Sequence, residues 1–180
     1  MLAGVGSEYI ENIAIITTRN PKQGDDGEYV YVTQKEFERM KRGGILVATA
    51  QIPSSTENRQ YGYRGADIET VWNSGKIPSV VTELQLLEGL ADYYGRRSLL
   101  SFGLLPPGNS KRTRLSQLLH RLRGRGRDTE QHILDRLKNA EQDMTLLRER
   151  KDLFDHIVVN EDLTSLVESM RKKVLAVSKV

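Results

Sequence analysis

The chain has 180 residues, the size of one ordinary domain, and contains no cysteine. Disulfide frameworks, thiolate metal sites and cysteine nucleophiles are therefore excluded, and a reducing cytoplasm is the expected location. The formal net charge of +3 is a mild basic excess, which favours phosphate-bearing ligands without requiring a polyanion partner. The longest apolar runs, such as residues 99–105, fall far short of a membrane span.

The first half of the chain predicts short strands that alternate with helices. Apolar residues predict a buried strand at 12–16, and alternating residues predict a second strand at 28–32. Thr33 and Glu36 then have the spacing of a capping box, in which each side chain accepts a hydrogen bond from the other residue's backbone N–H. The helix that follows should end at the glycine pair 43–44. The remaining segments predict an extended stretch at 45–51, a helix at 67–73, a strand at 80–84, a helix at 87–94 and a buried strand at 98–105.

The second half predicts longer helices. Ser110 is a good N-cap for a helix whose leucines lie on one face. A second amphipathic helix is predicted around 133–147, a last strand at 157–159 and a final helix around 163–170. Strands that alternate with amphipathic helices are typical of an α/β protein with a mainly parallel sheet, in which ligands bind at the carboxyl ends of the strands.

Residues 17–22 carry the first candidate binding feature. They end a predicted strand and place Arg19 and Lys22 three positions apart on a turn, which suits the binding of a phosphate. A solvated turn is the alternative interpretation, since basic residues are common in turns. Tyr29 and Tyr61 are likewise open to interpretation as half-buried strand tyrosines.

A series of short motifs along the chain narrows these alternatives. In order, they are Thr17-Thr18-Arg19, Asp26-Gly27-Glu28-Tyr29, Phe37-Glu38-Arg39-Met40, Tyr61-Gly62, Ser74-Gly75-Lys76, Leu105-Pro106-Pro107, Arg121-Leu122-Arg123-Gly124-Arg125-Gly126, Arg136-Leu137 and Val158-Val159-Asn160-Glu161-Asp162-Leu163. The series resembles the guanylate kinase family and extends over residues 12–174.

The resemblance implies the P-loop-kinase-like fold of nucleoside monophosphate kinases, an α/β three-layer sandwich with a mainly parallel sheet. It implies a single domain over residues 1–180, with a GMP-binding lobe at about 28–75 and a helical lid with its flanking helices at about 111–148. The implied reaction transfers a phosphoryl group from ATP to GMP with magnesium. Such a transfer depends on cations placed around the moving group.

The resemblance also implies roles for individual residues. Arg19 matches the arginine that holds the GMP phosphate, and Lys22 stands where the family usually has a second arginine. Two tyrosines that donate to that phosphate are matched by Tyr29 and Tyr61. Glu83 most nearly matches an acidic residue that contacts guanine.

Arg125 and Arg136 match lid arginines that reach the phosphates of both nucleotides during catalysis. The basic run at 111–127 is therefore interpreted as a lid that closes over phosphates and excludes water. Composition alone supports equally well a solvated helix face whose arginine stems cover leucines.

The ATP side of the pattern is not matched. The family binds ATP through a glycine-rich loop, G-x-x-x-x-G-K-[ST], whose N–H groups cradle phosphates. Only residues 1–16 precede Thr17, and the fragment Ala3-Gly4-Val5-Gly6-Ser7 has no lysine. The unit of first strand, P-loop and first helix is therefore expected to be missing or altered. ATP and magnesium are expected only if a P-loop is supplied.

The GMP side departs from the pattern as well. Tyr63 stands where a small hydroxyl residue is usual, Ala48 where a glutamate contacts guanine, and Ile15 where a serine is usual. An acidic residue expected near Val81 is also missing. A late start of the chain would not alter these positions, so they favour a non-catalytic module that binds a nucleotide or another phospho-ligand. The alternative is an active guanylate kinase represented by a chain that lacks its N-terminal P-loop segment.

The expected partners follow from these interpretations. GMP or a phosphorylated peptide would occupy the phosphate site, and a protein partner or a second copy of the chain would cover sheet edges left by an absent strand. Nucleic acid is disfavoured because the run at 111–127 has no aromatic side chains on which bases stack. The three histidines lack metal-ligand spacing, so no protein metal site is predicted.

Overall fold

The computed structural model describes residues 8–22, 25, 27–53, 58–126 and 128–177. The fragment at residues 3–7, which lacks the lysine of a phosphate loop, lies outside the described residues. The chain divides into two compact units. The first unit comprises residues 1–52 and 56–98, and the second comprises residues 53–55 and 99–180.

The strands of the first unit form two sheets. They are β1 (Ile10–Asn12), β2 (Ile15–Thr17), β3 (Tyr29–Tyr31), β4 (Leu46–Ile52), β5 (Arg59–Arg64) and β6 (Ile77–Ser79). β1 pairs with β6 in parallel, and the other four strands form a sheet in the order β3-β2-β5-β4. In this second sheet β2 pairs in parallel with β3, whereas β5 pairs antiparallel with both β2 and β4.

The helices of the first unit are α1 (Gln34–Arg42), α2 (Gly65–Asn73) and α3 (Leu84–Tyr94), followed by a 3₁₀ turn at Arg96–Ser98. The predicted capping box of α1 is confirmed: the Thr33 hydroxyl accepts from the Glu36 N–H at 3.2 Å, and the Glu36 carboxylate accepts from the Thr33 N–H at 2.8 Å. This cap orients α1 so that Phe37, only 1% exposed, packs with Ile16 and Leu46 in the core beneath the four-stranded sheet.

The predicted strand at 80–84 is wrong. β6 ends at Ser79, and α3 begins at Leu84. The reason is that the Glu83 carboxylate accepts hydrogen bonds from the backbone N–H groups of Gln85 and Leu86, at 3.0 and 2.8 Å, and so starts a helix.

Two other strand predictions need correction. The strand predicted at 12–16 is divided into β1 and β2 by residues 13 and 14. β5 has no counterpart among the predicted elements, because Tyr61-Gly62-Tyr63 is buried at three successive positions and shows no alternation of apolar and polar residues.

The second unit combines a parallel strand pair with long helices. β7 (Phe102–Leu105) pairs with β8 (His156–Val159), and the helices are α4 (Lys111–Arg125), α5 (Glu130–Glu149) and α6 (Leu163–Val177). β7 is shorter than the predicted strand at 98–105. Helix α5 lies very close to β7, since a Cβ on Gly103 would come within 2.6 Å of Leu147 Cδ2. None of the described helices is long and apolar enough to cross a membrane.

One buried hydroxyl in the first unit leads to a stability prediction. Among the described residues, the Tyr94 hydroxyl has no hydrogen-bond partner although it is buried. Burial, helped by Glu69 and Tyr93, raises the pKa of Tyr94 to about 12. Tyr94→Phe should increase the free energy of unfolding by about 1 kcal/mol, because it removes a polar group that folding strips of water.

The measurement is urea unfolding of both proteins at neutral and alkaline pH. A raised pKa means that the folded state favours the neutral Tyr94 phenol. The free energy of unfolding of the wild type is therefore unaffected by this group below the unfolded pKa and falls as the pH rises toward 12. The Tyr94→Phe variant should lose less stability over that range. Tyr93→Phe is the matched control, because Tyr93 is 57% exposed. A clear loss of stability in Tyr94→Phe at neutral pH would contradict the prediction.

Candidate phosphate-binding site

The candidate site is built around the end of β2. Thr17 is fully buried, and its hydroxyl donates to the Gln60 carbonyl at 2.9 Å while accepting from the Arg19 N–H at 3.1 Å. These two bonds fix the turn that follows β2 against β5. Arg19, which begins the turn, is consequently held with only 7% of its surface exposed.

The Arg19 guanidinium lies against the tyrosines of β3. Its central carbon is 4.4 Å from the centre of the Tyr29 ring and 5.7 Å from that of Tyr31. Both rings lie on the same face of β3, because residues two apart in a strand point the same way. Cation–π attraction of this kind strengthens when the cation is removed from water. The rings therefore position the guanidinium and partly offset the cost of its burial.

Asp25 supplies the counter-charge. One of its carboxylate oxygens, Oδ2, accepts from Arg19 Nη2 at 2.8 Å, from the Lys22 backbone N–H at 2.7 Å and from the Tyr31 hydroxyl. Desolvation acts to raise the pKa of Asp25, but these three hydrogen bonds outweigh it and hold the pKa below its usual value. Asp25 is therefore a carboxylate at neutral pH and pairs with Arg19 in this structure.

The lowered pKa of Asp25 predicts a loss of stability in acid. Because the folded pKa lies below the unfolded one, this stabilisation is complete above the unfolded value and disappears as the pH falls through the folded value. Asp25→Asn should therefore lose less of its free energy of unfolding than the wild type between about pH 5 and pH 2. Urea unfolding across that range measures the difference. If the free energy of unfolding fell equally with pH in the two proteins, the lowered pKa of Asp25 would be contradicted.

Tyr61 and Arg59 complete the cluster from β5. Tyr61 lies opposite Thr17 in the β2–β5 pairing and is 8% exposed, and Arg59, two residues earlier, is 9% exposed. Burial raises the pKa of the Tyr61 phenol, while Arg19 and Arg59 act to lower it. The Tyr61 phenol is thus neutral and lies in the field of two arginines, which suits a hydrogen-bond donor to an anion.

Glu83 and Ala48 are both engaged with helix α3. The Glu83 carboxylate caps α3 through both of its oxygens. Ala48 is 4% exposed and faces α3, where a Cβ on Gly89 would lie 2.9 Å from the Ala48 Cβ. Tyr63 is 1% exposed and donates its hydroxyl to the Val81 carbonyl at 2.8 Å. The residues at two positions that the resemblance relates to guanine, Glu83 and Ala48, and at one that it relates to the phosphate, Tyr63, are therefore engaged with backbone or packed against a helix.

The two lid arginines belong to the second unit. Arg125 is the last residue of α4 and is exposed, directly before Gly126, whose φ of +63° is left-handed. Arg136 on α5 pairs with Asp128 at 3.2 Å between Nε and Oδ2. Arg127, at the end of the predicted basic run, lies outside the described residues. Arg125 is thus exposed to solvent, whereas Arg136 already has a carboxylate partner.

The structure brings together three of the predicted residues, namely Arg19, Tyr29 and Tyr61, and places the Lys22 backbone beside them. Sequence reasoning missed Asp25, Tyr31 and Arg59. The spacing of Tyr29 and Tyr31, two apart in a predicted strand, was a usable signal that both rings share one face. Within the described ranges, no group of three or more His, Cys, Asp or Glu side chains lies close enough to hold a metal ion.

The α/β fold places the buried Arg19 at the carboxyl end of β2, the edge at which ligands commonly bind in such folds. The comparisons with known proteins specify the family. The family model described as guanylate kinase matches residues 7–176. The chain belongs to the guanylate kinase family.

Curated relatives agree with this assignment. The guanylate kinase of Nostoc sp. is 30% identical over 159 residues, covering 86% of this chain and 70% of the relative. That of Nitrosococcus oceani is 33% identical over 172 residues, covering 86% and 73%. The crystal structure of guanylate kinase from Anaplasma phagocytophilum matches with a TM-score of 0.69 at 21% identity, over 97% of this chain and 79% of that one. The predicted family and fold class are thereby confirmed.

Proposed function

We propose that this guanylate-kinase-like chain binds a phosphate-bearing ligand, GMP or a phosphorylated peptide, through Arg19, Tyr29 and Tyr61, and does not itself transfer the phosphoryl group. The observation that supports this proposal most strongly is the buried Arg19 guanidinium, held against two tyrosine rings at the end of β2. An arginine presents a planar fork of donors that matches phosphate oxygens.

The burial of Arg19 favours ligand binding over a purely structural role. Removing a guanidinium from water is costly, and a salt bridge of this kind contributes little net stability compared with apolar packing. Tyr29 and Tyr61 add hydroxyl donors beside it, and Lys22 adds a cation from the turn. A phosphate group is the ligand whose charge and acceptor geometry use all of these groups together.

The absence of transfer is proposed from the base side of the site. A kinase must hold its acceptor nucleotide in one orientation, because phosphoryl transfer depends on alignment more than on covalent chemistry. Here Glu83 is committed to capping α3, and Ala48 packs against Gly89. Within the described part of the chain, the residues at both positions that the resemblance relates to guanine are thus committed to capping or packing against α3.

The remaining assignments belong to the same proposal. Arg125 and Arg136 are proposed as the cations of a lid at about 111–148, and residues 28–75 as a GMP-binding lobe that contributes Tyr29 and Tyr61 to the phosphate site, all within a single domain. Of the two, Arg136 would have to exchange Asp128 for the ligand.

A second candidate function is an active guanylate kinase. It is favoured by the similarity to relatives that bear that name, at 25–33% identity. It would require ATP and magnesium, with the ATP phosphates held by a loop outside the cluster around Arg19. The two candidates differ in whether guanine is selected and whether GDP is formed.

Calorimetric titration with GMP, AMP and inorganic phosphate tests the proposal. The affinities for GMP and AMP should agree within about threefold, because a base that makes no specific hydrogen bond contributes little discrimination. All three ligands should compete for one site. A preference for GMP of a hundredfold or more would support the second candidate and contradict the proposed one.

A further inference from the structure

We propose that Asp25 is a built-in competitor of the ligand, whose carboxylate must leave Arg19 before a phosphate binds, so that the site selects doubly charged phosphate monoesters. This inference rests on the proposed function and concerns the same site. It starts from the three donors that converge on a single carboxylate oxygen, Oδ2 of Asp25.

These donors are the ones that a phosphate oxygen would use. Arg19 Nη2 belongs to a buried side chain, the Tyr31 hydroxyl to a half-buried one, and the Lys22 N–H comes from the turn that follows β2. A main-chain N–H combined with a guanidinium is a common arrangement for binding oxyanions. The Asp25 carboxylate thus occupies an anion position that the fold provides.

A carboxylate and a phosphate would not share this position. Two like charges at contact distance repel strongly where water is scarce, and Asp25 is 18% exposed beside an arginine that is 7% exposed. Arg19 Nη2 lies 2.8 Å from Asp25 and 3.4 Å from Tyr31, so the guanidinium edge that faces the turn is already engaged. Binding of a phosphate therefore includes the cost of displacing Asp25.

This competition determines which ligands bind. A phosphate monoester at neutral pH carries nearly two charges, whereas a diester or a sulfate ester carries one. A singly charged oxyanion gains about the same interaction with Arg19 as the carboxylate that it displaces, so its net gain is small. A dianion gains more, which makes the phosphate monoester the favoured ligand class.

Two properties of Asp25 support displacement over a permanent structural role. Its side chain is more exposed than that of Arg19, so it can turn toward solvent while the arginine stays in place. Arg19 also keeps partners that are independent of Asp25, namely the Asn20 carbonyl at 2.9 Å and the Tyr29 ring. The guanidinium would therefore remain in position for the incoming ligand.

The test is calorimetric titration of the wild type, Asp25→Asn and Asp67→Asn with inorganic phosphate and with a phosphate diester. We expect Asp25→Asn to bind phosphate about tenfold more tightly than the wild type does. The ratio of its affinities for phosphate and for the diester should be smaller than the ratio in the wild type. Asp67→Asn is the matched control, since Asp67 pairs with Arg64 at 2.8 Å outside the site and the charge change is identical. The control should bind like the wild type.

Three other titration results would overturn the inference. Weaker or unchanged binding by Asp25→Asn, with binding intact in the wild type, overturns this inference alone and would make Asp25 a positioning residue for Arg19. No binding by any of the folded proteins overturns the proposed function as well. A tenfold gain in both Asp variants also overturns the inference, because it would be an effect of net charge.

A thermal unfolding measurement covers the case in which Asp25→Asn is poorly folded. Without its counter-charge, the buried Arg19 should lower the melting temperature, and phosphate should raise it more in Asp25→Asn than in the wild type. Sodium chloride at the same ionic strength should not reproduce the effect. An equal response to phosphate in both proteins would overturn the inference.

Discussion

Replacement of Arg19 by methionine should weaken the binding of phosphate ligands by about 1.5–3 kcal/mol, the range for hydrogen bonds to a charged group. Methionine retains an apolar stem to pack against Tyr29 but presents no donor to phosphate. Calorimetric titration of the wild type and Arg19→Met with GMP and with inorganic phosphate measures the change. Both ligands should lose the same amount, because the lost contact is to the phosphate that they share.

The matched control for this variant is Arg64→Met. Arg64 also pairs with an aspartate at 2.8 Å, but its side chain is 37% exposed and lies outside the cluster. The Arg64→Met variant should bind phosphate with the affinity of the wild type. Arg19→Met should in addition be less stable, since it leaves the Asp25 carboxylate without its buried partner. Equal phosphate affinity in Arg19→Met and the wild type would remove the basis of the candidate site.

Replacement of Ala48 by glutamate should destabilise the first unit by about 3–5 kcal/mol, because it places a charged carboxylate in a closed interior position. Ala48 is 4% exposed, and a Cβ on Gly89 would lie 2.9 Å from the Ala48 Cβ and 3.1 Å from its Cα. The contact between β4 and α3 is thus tight at this point, and a glutamate side chain would have to force the two elements apart.

Urea unfolding measures this effect, and Gln51→Glu is the control on the same strand, because Gln51 is exposed. The control should change stability by no more than about 0.5 kcal/mol. A stable Ala48→Glu protein that gains a preference for GMP over AMP would contradict the account. That result would mean that the space beside Ala48 is open to a guanine and lacks only a glutamate carboxylate to bind it.

The elements most accurately predicted from the sequence are those set by local patterns. The Thr33 and Ser110 N-caps were predicted because a hydroxyl at that position satisfies an N–H three residues later, and both do so here. The false strand at 80–84 arose from the same rule. Glutamate is not among the preferred N-cap residues, so Glu83 was not recognised as the start of α3.

The candidate site was predictable only in part, for a related reason. Arg19, Tyr29 and Tyr61 could be found because they lie in motifs that resemble one family. The Asp25 contact and the approach of Gly89 to Ala48 depend on how separate elements meet in three dimensions. No pattern in the sequence near Ala48 indicates that a residue 41 positions later on α3 closes the space beside it.

The chain is proposed to bind a phosphate ligand without transferring the phosphoryl group. Phosphorus NMR of GMP, mixed with the protein and with ATP and magnesium, tests both parts in a single measurement. The account predicts that the GMP resonance shifts or broadens with increasing protein, and that no GDP resonances develop over hours. Appearance of GDP, or a GMP resonance that the protein leaves unchanged, would contradict it.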